Sequence, residues 1–239
     1  MRGPVQELRA FLEAALVDPV PGQRPDPPAS RMRRRVVVAA TFVIGTAVLA
    51  YALRIQPGDA RFYGATLALA AVWGIGAIAS GPLHVGWGHT RSGSRARPVV
   101  QSLALGALLL AIFLAGALVV ARFPLLRQPV DELLDHARFG SLPAVLGITM
   151  LNGLVEELYF RGALYAALPT HPVAITTVLY ALTTVGSGIP LLVLAAVAVG
   201  VVTALQRRVT GGILAPIITH VTWSTGMLLL LPPVLQLAR

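Results

Sequence analysis

Apolar residues recur along the chain in seven runs, roughly 36–53, 63–83, 99–121, 142–168, 172–187, 189–205 and 213–231, separated by short polar stretches. A helix needs about 20 residues to cross a hydrocarbon core of about 30 Å, so most of these runs predict transmembrane helices. The runs near 172 and 189 are short, and Gly186, Gly188 and Pro190 predict a break or an unusual tilt between them. Ahead of the first run, residues 4–17 place Val5, Leu8, Phe11, Leu12 and Ala15 at helical spacing, which predicts a short amphipathic helix. The proline-rich VDPVPGQRPDPPAS after it predicts a stiff, irregular linker. Val130, Leu133, Leu134 and Ala137 repeat the helical spacing in a more polar setting and predict an interfacial helix.

The predicted organisation is an amphipathic segment and linker over residues 1–30, three transmembrane helices over 31–123, an interfacial helix within 124–140 and a further group of helices over 141–233. The fold class expected is an all-α, polytopic transmembrane helical bundle of about seven spans. No internal repeat is seen. About thirty polar-rich residues precede the first apolar run, whereas a signal peptide sets its apolar core close behind its first basic residues, so no cleaved leader is expected.

Composition agrees with a membrane protein: 56% of the 239 residues are hydrophobic and 12% charged, about half the charged share of an ordinary soluble domain. The net charge of +9 does not point to nucleic acid, because the arginines fall in short clusters between apolar runs. RMRRR at 31–35, TRSGSRAR at 90–97 and QRR at 206–208 fall on one side of the membrane, while RQPVDELLDHAR at 127–138 offsets its arginines with acids on the other. The positive-inside rule then predicts a cytoplasmic N-terminus and an external C-terminus, and the location expected is a bacterial cytoplasmic membrane. Without cysteine the chain has no disulfide, thiolate nucleophile or cysteine metal site.

One apolar run is unlike the others. GLVEELYFRGALY carries Glu156, Glu157 and Arg161 where each charge costs about 2.5–3.5 kcal/mol on the insertion scale. Glu157 and Arg161 are four residues apart in the favourable order for a helical ion pair. Glu156 points about 100° away, toward the face that carries Asn152, and has no local cation. The charges alone leave three readings open: a polar network that locks helices together, an ion path in a transporter, or catalysis with the unpaired carboxylate as general base. GGILAPIITHVTWSTG adds a second polar site, with His220 and Ser224 on one helical face. Counted from the cytoplasmic ends of their runs, Glu156, His220 and Ser224 lie about 12–18 Å deep and can share one layer.

These residues resemble the CPBP intramembrane proteases, which include the type II CAAX prenyl endopeptidases and bacteriocin-processing or immunity proteins. The family pattern is EExxxR, then FxxxH on the next helix, then HxxxN or HxxxD on a later one. Glu156, Glu157 and Arg161 meet the first motif in full, with Gly162 following, and Thr210 to His220 resembles the stretch leading into the third. The resemblance covers about residues 142–231. It implies Glu156 as general base, Glu157 and Arg161 as a supporting ion pair, and His220 with Ser224 as donors to the developing oxyanion.

Two positions depart from the family. Tyr180 stands at the phenylalanine of FxxxH and Thr184 at its histidine, and threonine cannot serve as a base near neutral pH. Ser224 replaces the amide or acid of the third motif but can still donate a hydrogen bond. His171 lies about 20 Å along the helix axis from Thr184, and His84, His89 and His136 fall in loops or segment ends, so none is an obvious substitute. A metal-dependent version of the family chemistry would draw its zinc ligands from Glu156, Glu157 and His220. That set falls short of the usual three strong ligands, which favours metal-free chemistry with no cofactor.

The function expected is an intramembrane endopeptidase acting on membrane-associated peptide or protein substrates. The alternatives are an inactive relative that binds membrane peptides or proteins, and a transporter whose polar path is lined by Asn152, Glu156, Thr184 and His220.

Overall fold

A computed structural model describes residues 3–21, 31–90 and 94–237. Most of the proline-rich linker, residues 22–30, lies outside the described residues, as do residues 91–93 of the arginine-rich loop.

The described chain is a bundle of helices: α1 Pro4–Leu16, α2 Arg31–Ala52, α3 Arg61–Ser80, α4 Val99–Val120, α5 Pro124–Arg138, α6 Leu142–Glu157, α7 Tyr165–Ala167, α8 Pro172–Val185, α9 Pro190–Thr210 and α10 Leu214–Leu237. A π-helical segment, Leu158–Leu164, joins α6 to α7 without a break. The β structure described is a two-residue antiparallel pair, β1 Gly88–His89 with β2 Arg95–Ala96, in the α3–α4 connection. Five helices are long and apolar enough to cross a membrane: Met32–Ala52 within α2, then α3, α4, α9 and α10. Val43, Ile44, Ile75, Ile78, Ile112 and Val119 turn outward on three of them, the pattern of side chains that meet lipid rather than water. The protein is an all-α integral membrane bundle.

Contacts between helix ends sort the bundle into two faces. At one, the guanidinium of Arg34 donates to the Pro82 carbonyl, the amide of Trp87 to Thr210, and the amide of Ile213 to His84, at 3.0, 2.9 and 2.9 Å. At the other, the Ser141 amide donates to the Tyr63 hydroxyl at 2.8 Å and His136 Nε2 donates to the Ile55 carbonyl at 2.9 Å. The second face carries α5, whose Leu134 is buried and whose Val130 and Leu133 are half-buried; the side chain of Ala137 lies outside the described ones. The α5 arginines are matched by acids, Arg127 with Asp131 at 2.9 Å and Arg138 with Asp131 and Asp135 at 3.1 and 2.9 Å. Partial burial pushes the Asp131 carboxyl up, and the hydrogen bonds from Arg127 and Arg138 outweigh it, so the group titrates below its ordinary range.

Helix α1 rests on the first face. Ala15 is buried and Phe11 and Leu12 half-buried, while Val5 and Leu8 stay exposed. Arg208 at the end of α9 donates to the Leu16 carbonyl at 3.1 Å, and the Val20 amide donates to Val209 at 2.8 Å.

The core gathers around Trp73 of α3, whose ring lies 4.5 Å from Tyr159 and 5.3 Å from Phe160. Tyr159 donates its hydroxyl to the Val38 carbonyl at 2.7 Å, so its one polar atom is satisfied inside the bundle. Gly45 of α2 lies flat against Trp73, and a Cβ there would overlap the indole.

Helices α8 and α9 form a tight hairpin. Gly188 takes φ +71, Ser187 Oγ donates to the Thr184 carbonyl at 2.6 Å, and the Ile189 amide donates back to that hydroxyl at 3.1 Å. The Ser187 hydroxyl thus satisfies two backbone groups of the turn itself. At the start of α8, His171 has φ 48, a left-handed conformation that L side chains adopt at a cost. His171→Val is therefore expected to lower stability by about 1–2 kcal/mol and His171→Gly to hold it or raise it by up to about 1 kcal/mol. Thermal unfolding in detergent separates the two.

Candidate active site

The charges of α6 meet α8, α9 and α10 at one point in the bundle interior. Glu157 and Arg161 are fully buried, with Glu157 Oε1 3.1 Å from Arg161 Nη1. This is the ion pair expected from their spacing. The arginine lies in the π-helical segment, where one extra residue per turn loosens the backbone pairing. Arg207 of α9 fills part of that gap, its Nε donating to the Arg161 carbonyl at 2.9 Å while its guanidinium lies 5.0 Å above the Tyr165 ring.

Arg161 is held from three directions. Its Nη2 donates to the Gly200 carbonyl at 3.2 Å and its guanidinium lies 4.8 Å from the Tyr180 ring. The position of Gly200 matters because α9 there closes on Thr177 and Tyr180, within 3.2–3.5 Å of where a Cβ would sit.

His220 of α10 donates Nδ1–H to Glu157 Oε1 at 2.8 Å. Glu157 is ion-paired to Arg161, and an ionised carboxylate can only accept, which assigns the proton to Nδ1 and turns Nε2 toward the other carboxylate. That carboxylate is Glu156, whose Oε2 lies 3.9 Å from His220 Nε2. Tyr180 donates its hydroxyl to the same oxygen at 2.8 Å. Of the two carboxylates, Glu156 keeps 17% of its side chain accessible and Glu157 none, so the one without the arginine is also the one a small molecule can reach.

The remaining residues singled out in the sequence are arranged differently. Thr184 donates to the Ala181 carbonyl of its own helix at 2.7 Å. Asn152 donates to Ile148 and to Thr66 of α3 at 3.0 and 3.4 Å, so it ties α6 to α3 and is not hydrogen-bonded to Glu156. Ser224 makes a long bond of 3.4 Å to Val221 and lies 3.6 Å from the position a Cβ on Gly153 would take. The direct bond from Tyr180 and the supports from Gly200 and Arg207 have no sequence signal, because they join different helices at long separation.

Glu157 Oε1 is committed to Arg161 and to His220 Nδ1, Glu157 Oε2 is buried with no hydrogen-bond partner among the described residues, and Glu156 Oε2 faces His220 Nε2. Among the described residues no group of three histidine, aspartate or glutamate side chains is arranged to hold an ion.

Trp223 lies one helical turn from His220, with ring centroids 6.1 Å apart. It also lines an apolar cavity of about 390 Å³ with Ile112, Phe113, Leu134, Leu192 and Met227.

Neither the curated proteins nor the solved structures gave a match to the chain. Residues 138–226, which hold Glu156, Glu157, Arg161, Tyr180 and His220 together, match the family model described as type II CAAX prenyl endopeptidase Rce1-like, the group to which the sequence motifs pointed.

Proposed function

We propose that the protein is an intramembrane endopeptidase that hydrolyses peptide bonds in membrane-associated peptides or proteins, with Glu156 as the general base. The observation that carries this reading is the 3.9 Å separation of Glu156 Oε2 and His220 Nε2, two proton acceptors facing one another beside a buried ion pair. One water can reach both atoms at that spacing. Its oxygen attacks the scissile carbonyl, Glu156 takes a proton from it, and the same proton passes to the leaving amine as the carbon–nitrogen bond breaks. His220 Nε2 orients the water, a role that Thr184, bonded to its own helix, does not fill. Ser224 Oγ, weakly bonded to Val221, is free to rotate and donate to the oxyanion. The apolar cavity beside Trp223 suits a substrate segment that stays in the membrane.

A second reading is favoured by Thr184: a relative that keeps the fold, has lost proteolysis and binds membrane peptides. For either, the positive-inside rule supports a cytoplasmic N-terminus, and a bacterial cytoplasmic membrane is the proposed location.

New peptide termini, mapped by mass spectrometry in membranes of cells carrying the wild type or Glu156→Gln at matched levels, separate the two. Termini that disappear with the variant are expected. Identical profiles would sink the protease reading and leave the binding protein.

A further inference from the structure

A second concentration of polar surface lies well away from the buried carboxylates. The ends of α3 and α9 and the starts of α4 and α10 converge at one face of the bundle, which puts their connections at a membrane boundary. A cavity of about 690 Å³ opens there, lined by His84, Trp87, Arg95, Arg97, Thr210 and Gly211 among others, and no carboxylate lines it among the described residues.

Its floor is fixed backbone. The Trp87 amide donates to the Thr210 carbonyl at 2.9 Å, while Ile213 and Leu214 donate to His84 and Val85 at 2.9 and 3.1 Å. Arg97 is held flat over the Trp87 indole at 3.9 Å, and its Nη1 donates to the Gly86 carbonyl at 2.8 Å. A guanidinium presents five donors in a plane, so most of those on Arg97 remain for a ligand. Arg95 is exposed, and its side chain has no hydrogen bond or ion pair among the described residues. Of the neighbouring segments, the one that ends in the lining residues Val20 and Pro21 carries Asp18, whose backbone oxygen meets His89 at 3.2 Å, and Arg207 and Arg208 end α9 nearby.

Two guanidinium groups around a hollow whose described lining holds no acid suit a tetrahedral oxyanion, which they bind through paired, charge-assisted hydrogen bonds. The setting narrows the choice. Indole rings favour the headgroup level of a bilayer, and basic pockets between spans at that level take lipid headgroups. We propose that the cavity formed by residues 84–87, Arg95, Arg97 and the Thr210–Gly211 turn binds a phosphate group at the membrane boundary. The site does not depend on the peptidase reading, because none of its residues touches Glu156 or His220. Occupancy bears on α10 all the same, since the same backbone bonds anchor the turn from which the His220 helix starts.

The test is native mass spectrometry of the full chain in neutral detergent, titrated with phosphatidylglycerol or phosphatidylcholine of matched acyl chains, with and without millimolar inorganic phosphate. Phosphatidylglycerol is expected to be retained in preference to phosphatidylcholine. That preference should fall about thirtyfold in Arg95→Gln/Arg97→Gln, at the worth of two interfacial arginines. Loss of retained lipid on adding inorganic phosphate would identify a phosphate site filled from water; persistence would identify a headgroup site filled from the bilayer. Arg97→Gln also removes the bond to Gly86, so Arg95→Gln, whose side chain makes no hydrogen bond or ion pair among the described residues, is measured alone with thermal unfolding as its folding control. Equal retention of the two lipids by the wild type, or undiminished preference in a folded Arg95→Gln, overturns the proposal.

Discussion

Arg161→Met is expected to cost about 3–5 kcal/mol in thermal unfolding of the detergent-solubilised protein, the loss typical of removing one partner from a buried ion pair. The size follows from what stays behind. Glu157 is fully buried, and without Arg161 its charge would rest on the single hydrogen bond from His220. Methionine also gives up the bond to the Gly200 carbonyl that ties the α6–α7 rod to α9. Replacing both partners behaves differently, because a buried pair earns little net stability over neutral side chains of similar volume. Glu157→Gln/Arg161→Met is therefore expected to recover most of the loss, with the glutamine oxygen still accepting from His220 Nδ1. A single variant as stable as the wild type would mean that the pair sits in a wetter setting than its burial implies.

Gly212→Ala is expected to be as damaging by another route, about 3 kcal/mol or more. A Cβ on Gly212 would fall onto the Gly86 amide nitrogen and the Val85 carbonyl group. Neither atom belongs to a side chain that can turn away, and the hydrogen bonds on both sides of the contact hold the two strands of backbone together. Gly86 has φ +83, so that loop is already in a conformation open mainly to glycine. Gly147→Ala in α6 and Gly116→Ala in α4 are the controls. Nothing lies within 4 Å of the added methyl at either site, and helix propensity predicts a gain of up to about 1 kcal/mol. Thermal unfolding of the three variants side by side reads the comparison.

The contrast between these sites also explains what was legible in the sequence. The bundle could be read from the apolar runs, because lipid imposes a length and a composition on anything that crosses it. Glu157 and Arg161 could be paired from their spacing, because residues four apart on a helix are neighbours whatever lies around them. Joining Tyr180 to Glu156 needs the relative rotation of α8 and α6, which side-chain packing decides and spacing does not. For the same reason, the place of Thr184 at the histidine of FxxxH does not show that its hydroxyl turns back to Ala181. His220 could be placed in the right layer, yet its Nδ1 bond is to Glu157, with only Nε2 facing Glu156. The approach of Gly86 to Gly212 joins residues distant in sequence, each unremarkable alone.

Helix α8 has 14 residues and so spans about 21 Å, against about 30 Å of hydrocarbon in an average bilayer. Its outward side chains, Val178, Leu182 and Val185, leave that wall of the bundle facing lipid. Acyl chains beside it must compress, or the whole bundle must lean, at a cost of fractions of a kcal/mol per ångström of mismatch. Membrane thickness thereby enters the protein's own energetics on one side only, the side whose inner face carries Tyr180 and its bond to Glu156.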